Sequence, residues 1–230
     1  MLAYITSLIQ ALIAMVMALV TTLPTNSPAY IAKFRNTCTS PSETQIQVGR
    51  NYVINPSFET NAGDPLTPTG WQRSSNLQPT DMSDCAKGES HAGSCSFHMG
   101  RYVVPPDEYV RSLTQVIPLS GKAGTKITVS GWAKAKKFVN VYPRLNTGFG
   151  IGVEMFDTNG ESYLEPNGEG YANFPFGVHG YEPAITTFIA SQDFLCMKAH
   201  VFFLEDGEVW FDDVSVTAEP PTGPYVSPTP

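Results

Sequence analysis

The stretch Glu208-Val209-Trp210-Phe211-Asp212-Asp213-Val214-Ser215-Val216, with Glu219-Pro220-Pro221 shortly after it, decides how this chain is read. At period two, Trp210, Asp212, Val214 and Val216 share one face, and Phe211, Asp213 and Ser215 share the other, which is the pattern of a strand. That reading sets a carboxylate in line with core residues. An ionised carboxylate on a buried face is costly unless it is paired or bound to a metal, so Asp212 calls for a partner or a place at the mouth of the fold.

Working outward, similar short runs recur at 51–54, 95–99, 112–119, 126–134, 150–156, 185–189 and 197–204. Asp157-Thr158-Asn159-Gly160 reads as a hairpin turn in which Asn-Gly supplies positive φ angles, and Glu205-Asp206-Gly207 joins the last two runs. The chain has 230 residues with 19 Gly and 19 Pro, and helical periodicity is nearly absent after its start. Many short strands joined by turns predict an all-β, two-sheet jelly-roll sandwich with a separate N-terminal apolar α-helix. The first and last strands should lie near one another.

The expected organisation is an apolar helix over 1–23, a Pro-, Ser- and Thr-rich linker over 24–45, the folded domain over 46–218 and a Pro-rich tail over 219–230. Residues 1–23 carry no charge and are long enough to cross a bilayer. As a signal peptide the segment would be cut near Ser27-Pro28-Ala29, although the basic n-region is missing; as a retained anchor its length fits well. Lys33 and Arg35 argue weakly for a cytoplasmic C-terminal side, but they are few and lie well past the apolar run. The expectation is therefore extracytoplasmic, either secreted or at the cell surface. The layout also resembles a processed pilin-like subunit, without the usual Phe start or the acidic residue near it. In that alternative the helix holds the chain in a membrane or among like subunits of a surface filament, with the jelly roll displayed outside.

Cys38, Cys85, Cys95 and Cys196 allow three pairings. Cys85 with Cys95 would close a small polar loop, and Cys38 could then tie the pre-domain segment to Cys196. Free thiols are the alternative, and export favours disulfides. The net charge of −7, with 14 Lys+Arg against 21 Asp+Glu, does not suit nucleic acid.

Further residues carry a resemblance. Asn51-Tyr52-Val53-Ile54-Asn55-Pro56-Ser57-Phe58-Glu59, Gly70-Trp71 and His91-Ala92-Gly93-Ser94-Cys95-Ser96-Phe97 are similar to the opening of carbohydrate-binding modules of families 4, 9 and 22. Leu113-Thr114-Gln115, Ile127-Thr128-Val129-Ser130-Gly131-Trp132-Ala133-Lys134, Thr186-Thr187-Phe188 and the closing Phe211-Asp212-Asp213-Val214-Ser215-Val216 follow in matching order. The resemblance implies a galactose-binding-like jelly roll that binds polysaccharide or glycan. It also implies a structural Ca2+ where the first strand, the Gly93 turn and the last strand meet, with Glu59 and Asp212 as carboxylate ligands. The alternative for Asp212 is that it caps a turn or accepts backbone N–H bonds at the strand's edge.

Sugar recognition stacks aromatic faces on pyranose rings and reads hydroxyls with a few polar groups. Tyr142, Tyr163, Tyr171 and Tyr181 lie near Gly, Pro and Asn in turns and are the candidate platforms, with Arg144 beside them. Asn146, Glu154 and Gln192 are further hydrogen-bonding candidates. Trp71, Trp132 and Trp210 read as packing residues. The segment 161–182 reads as a long aromatic loop, either one wall of a sugar cleft or a contact surface. For catalysis the four His are scattered, no hydrolase or phosphate-loop motif occurs, and the spacing of Glu154, Glu165 and Glu169 does not favour a glycosidase pair. The expectation is a protein that is not an enzyme.

Overall fold

The computed structural model describes Cys38 and residues 45–74, 76–101, 111–139, 148–165 and 170–223. The helix expected over 1–23, most of the linker and the end of the tail lie outside these residues. Among the described residues no helix is long and apolar enough to cross a membrane.

The strands are β1 (Gln72–Arg73), β2 (Met82–Asp84), β3 (Ser96–Met99), β4 (Arg111–Ile117), β5 (Lys126–Val139), β6 (Phe149–Phe156), β7 (Ser162–Tyr163), β8 (Tyr171–Asn173), β9 (His179–Ile189), β10 (Cys196–Phe203) and β11 (Asp206–Glu219). They form two sheets. The first runs β1-β4-β10-β6-β7, with β8 also paired to β6; the second runs β2-β3-β11-β5-β9. Every pairing between these strands is antiparallel. This is the all-β two-sheet sandwich that the spacing of short apolar runs predicts.

Strict alternation explains most of the core. In β4, Arg111, Leu113, Gln115 and Ile117 face inward, while Ser112, Thr114 and Val116 face out. Phe149, Ile151 and Val153 of β6, Val201 and Phe203 of β10, and Phe97 and Phe211 of the second sheet fill the space between the sheets. Each of these is at most 1% exposed, so burial rather than strand propensity selects the register.

β11 departs from simple alternation, and the departure corrects the sequence reading. Asp212 pairs with Trp132 and Ser215 pairs with Ser130, so Asp213 and Val214 together oppose Gly131. This two-against-one pairing is a bulge, and Asp213 takes a φ of 49° within it. Before the bulge Val209 and Phe211 point into the core; after it Val214, Val216 and Ala218 do. Trp210 and Asp212 therefore lie on the outer face of the second sheet and do not share the face of Val214.

The expected strand over 51–54 is an extended segment held along β11. Tyr52 N–H donates to Val216 O at 2.9 Å and Val214 N–H to Pro56 O at 3.0 Å, while the Asn51 side chain bridges Val214 O and Val216 N. The first and last segments thus meet as expected. In the hairpin after β6 only Gly160 has positive φ, because the Asp157 carboxylate accepts the N–H groups of Asn159 and Glu161 and closes the turn itself. The segment 161–182 is not one loop: its ends are β7 and the start of β9, and β8 lies between them. β8 adds to the sheet because Gly150 and Gly152 of β6 leave room for Asn173 and Tyr171 opposite them.

Both disulfides join the cysteines of the pairing favoured above, Cys38 with Cys196 and Cys85 with Cys95. Trp71 is a packing residue, 3% exposed and 5.2 Å from the Phe58 ring.

Candidate functional site

The outer faces of the two sheets differ. On the second sheet, the loop closed by Cys85 and Cys95 lies across the end of the strands that carries Trp210 and Trp132. Lys134 of β5 donates to Gly88 O at 3.1 Å and pairs with Glu89, and Lys136 pairs with the other Glu89 oxygen at 2.6 Å. The hydroxyls of Tyr181 and Ser96 both donate to Glu89 O, at 2.6 and 2.7 Å. Trp210 is covered by this cluster. Its Nε1–H donates to Asp84 at 2.9 Å, its ring stacks on His98 at 4.4 Å, and Lys134 and Lys136 each lie 4.9 Å from it. His91 lies flat on Trp132 at 3.9 Å, so Trp132 is a partly exposed residue of the outer face and not part of the core.

The same loop meets the two expected metal ligands. Asp212 Oδ2 accepts the N–H groups of His91 and Ala92 at 2.7 and 3.2 Å, and Oδ1 accepts the Asp213 N–H at 2.7 Å. Glu59 Oε1 accepts the N–H groups of Ser94 and Cys95 at 2.8 and 3.0 Å. Between them sits Gly93 with φ 65°, where a Cβ would run into the Glu59 carboxylate. Asp212 is fully buried, and that burial pushes its pKa up to about 6 against the lowering effect of the His91 and Ala92 N–H bonds. The alternative given for Asp212, an acceptor of backbone N–H bonds, describes its contacts.

The chemistry of this corner fits a hard cation in part. Two carboxylates converge on one turn whose carbonyls are the oxygen donors that Ca2+ prefers, and among the described residues no cationic side chain pairs with the buried Asp212. Among the described residues, no third His, Cys, Asp or Glu joins them in a metal-sized group, so the remaining ligands would be main-chain oxygens and water.

On the first sheet, the outward rows of β10, β6 and β8 collect aromatic and polar groups. Lys198 pairs with Glu154 across the strands, His200 with Gly152, and Phe202 with Gly150, while Tyr171 and Asn173 of β8 flank the same two glycines. Thr114 of β4 and Gln72 of β1 extend the His200 row. Lys198 Nζ lies 2.8 Å and His200 Nε2 3.5 Å from the same Glu154 oxygen. Burial works to raise the Glu154 pKa, but the neighbouring His200 and Lys198 outweigh it and bring it down to about 2, Lys198 through its ion pair and His200 by proximity, since His200 Nε2 makes no hydrogen bond among the described residues. Burial holds His200 below its ordinary value, so the imidazole is neutral at pH 7. The Tyr171 ring meets Phe202 edge-on at 5.6 Å and 80°.

The candidate tyrosines do not share one face. Tyr171 lies on this strip. Tyr181 belongs to the covered outer face of the second sheet. Tyr163 points inward beside Met155, its hydroxyl donating to Gln192 O at 3.2 Å, and burial raises its pKa. Tyr142, Arg144 and Asn146 lie outside the described residues. Lys198, His200 and Phe202 are the additions that sequence reasoning missed. Their signal was the alternation along β10 of Lys198 and His200 with the apolar Met197, Ala199 and Val201, which marks every second residue as non-core.

No protein-family model matches the chain, and no curated protein sequence matches it. Solved structures do share its fold. The enzymatically active domain of tailspike protein 4 from bacteriophage CBA120 aligns with a TM-score of 0.51 at 17% identity over 74% of this chain. This chain spans about a fifth of that one, 21%. The CBM22-1 xylan-binding domain of Paenibacillus barcinonensis Xyn10C aligns with a TM-score of 0.47 at 12% identity, covering 76% of this chain and 99% of that one. A family 61 carbohydrate-binding module, TmCBM61 in complex with β-1,4-galactotriose, gives 0.44 at 17% identity, covering 74% and 100%. At these identities the likeness concerns the fold alone.

Proposed function

We propose that this chain is a non-catalytic, extracytoplasmic glycan-binding protein whose ligand lies on the outer strip of the first sheet. The observation that carries the reading is the juxtaposition of the exposed Asn173 and the partly exposed Tyr171 and Glu154 on neighbouring outward rows of β8 and β6, backed on β10 by the partly exposed His200 and the buried Lys198 and Phe202. An aromatic face beside fixed donors and acceptors is the combination that recognises a pyranose ring and its hydroxyls. The Glu154 carboxylate is ion-paired and held at a low pKa, so it has no proton to give as a general acid at neutral pH. Glu165 is committed to Ser191, whose N–H and hydroxyl it accepts. The two disulfides accord with an oxidising compartment.

In this reading Glu59, Asp212 and carbonyls of the turn around Gly93 hold a structural Ca2+. The ion would neutralise the buried Asp212 carboxylate and tie the first segment to the last strand.

Affinity gels with soluble xylan, named for one structural neighbour, and with β-1,4-galactan, the polymer of the β-1,4-galactotriose bound by another, test the binding. Retardation of the wild type that is weakened about three- to tenfold, and not abolished, in Tyr171→Ala and is weakened in Glu154→Gln is the expected result. Equal mobility with and without each glycan would count against the reading, as would retardation that neither substitution changes.

A further inference from the structure

The outward-facing residues of β6 are Gly150, Gly152, Glu154 and Phe156. Two glycines in the interior of a strand are unfavourable relative to alanine. Gly150 and Gly152 are absent from the positive-φ glycines of the described chain, so their backbone does not require glycine. What they provide is space. A Cβ on Gly152 would collide with the Tyr171 ring, overlapping Cδ1 and lying 2.6 Å from Cε1 and 2.9 Å from Cγ. A Cβ on Gly150 would meet Ala172 O and Phe202 Cζ, each at 2.7 Å, and Asn173 Oδ1 at 3.0 Å. The Tyr171 ring thus occupies the volume that a side chain at 152 would take, and the edge-on Phe202 ring closes it in from the side.

We propose that Gly152 is a positioning residue for ligand recognition: it lets the Tyr171 ring settle onto the β6 backbone, at the level of Glu154 and His200. This rests on the glycan-binding reading of the strip. With Tyr171 set down, its outer face and the polar groups of the next rows meet one flat ligand surface. A side chain at 152 lifts or turns the ring and opens a step between the aromatic and polar parts of the strip. Gly152 then acts only through Tyr171. A glycine needed for strand curvature or general packing would act whether or not the tyrosine is present.

The test is a double-mutant cycle of Gly152→Ala and Tyr171→Ala in the full chain. It is read by retardation in xylan and β-1,4-galactan gels, by melting temperature, and by the 19F resonance of residue 171 in fluorotyrosine-labelled protein without ligand, assigned through Tyr171→Phe. Gly152→Ala is expected to shift that resonance and to weaken retention about three- to tenfold, the scale of one aromatic contact. In the Tyr171→Ala background the same substitution should change retention by less than about twofold, and any fall in melting temperature should be recovered. An unmoved resonance overturns the proposal, and so does an equal loss of retention or stability in both backgrounds. If the wild type retains neither glycan, the glycan reading fails, while the resonance and the stability cycle still decide whether Gly152 seats Tyr171.

Discussion

Asp212 Oδ2 accepts the main-chain N–H of His91 at 2.7 Å, joining residues 121 positions apart in sequence. The bond makes the last strand the anchor of the disulfide loop. Asp212→Ala would leave the N–H groups of His91, Ala92 and Asp213 without their acceptor, and should cost about 2–3 kcal/mol. Asp212→Asn, which keeps one acceptor oxygen, should cost less. Urea denaturation of the two variants checks both the size and the order of these effects.

Gly93 is required by its neighbour as well as by its backbone. With φ 65° and the Glu59 carboxylate in the place of a Cβ, Gly93→Ala combines backbone strain with a displaced acceptor, and should destabilise by about 1–3 kcal/mol. Ala62 is the converse case, exposed and at φ 48°. Ala62→Gly should stabilise by about 1 kcal/mol, measured in the same denaturation series.

Calcium should raise the melting temperature of the chain, and a chelator should reverse the gain. Because Glu59 and Asp212 would hold the ion, Glu59→Gln and Asp212→Asn should each abolish the calcium-dependent increment. A melting curve of the wild type that is identical in calcium and in chelator would dispose of the site.

Glu154 gives a pH signature. Its folded pKa is about 2 against an ordinary 4.5, so its ion pair stabilises the fold above pH 4.5, and that stability is lost as pH falls toward 2. In a His200→Gln background, which removes the imidazole's own titration, the stability difference between Glu154 and Glu154→Gln should therefore be constant above about pH 5 and shrink through that acid window. A difference that grows on acidification in that background would mean that Glu154 is not held by Lys198.

The two disulfides close loops of very different length, with separations of 158 and 10 residues. On chain-entropy grounds, replacing Cys38 and Cys196 by Ser should cost about 5 kcal/mol, and replacing Cys85 and Cys95 about 3 kcal/mol. The reverse order would show that the short loop carries stability through its contacts with Lys134, Tyr181 and Asp212, beyond its covalent closure.

Most strands were legible in the sequence because burial at period two is written into runs such as 112–119 and 197–204. β1, β2, β7 and β8 were not. Each has two or three residues, too few to show a period, and each exists because a longer strand offers it a free edge. Of the candidate site, Tyr171 and Glu154 were identified from local composition, whereas Lys198, His200 and Phe202 were passed over inside a strand that reads as core.

The closing strand shows where the boundary lies. Its apolar run announces a strand, and an aspartate within it announces a carboxylate that must find partners; both follow from the residues alone, since alternation and the cost of burying charge are local facts. Which way Asp212 points was settled only by the bulge, where Asp213 and Val214 oppose the single residue Gly131. A bulge is a mismatch of count between two strands and cannot be read from either one. The same holds for the proposed strip on the first sheet, because Tyr171, Tyr163 and Tyr181 look alike in sequence and are separated only by the register in which β8, β7 and β9 pair with their neighbours.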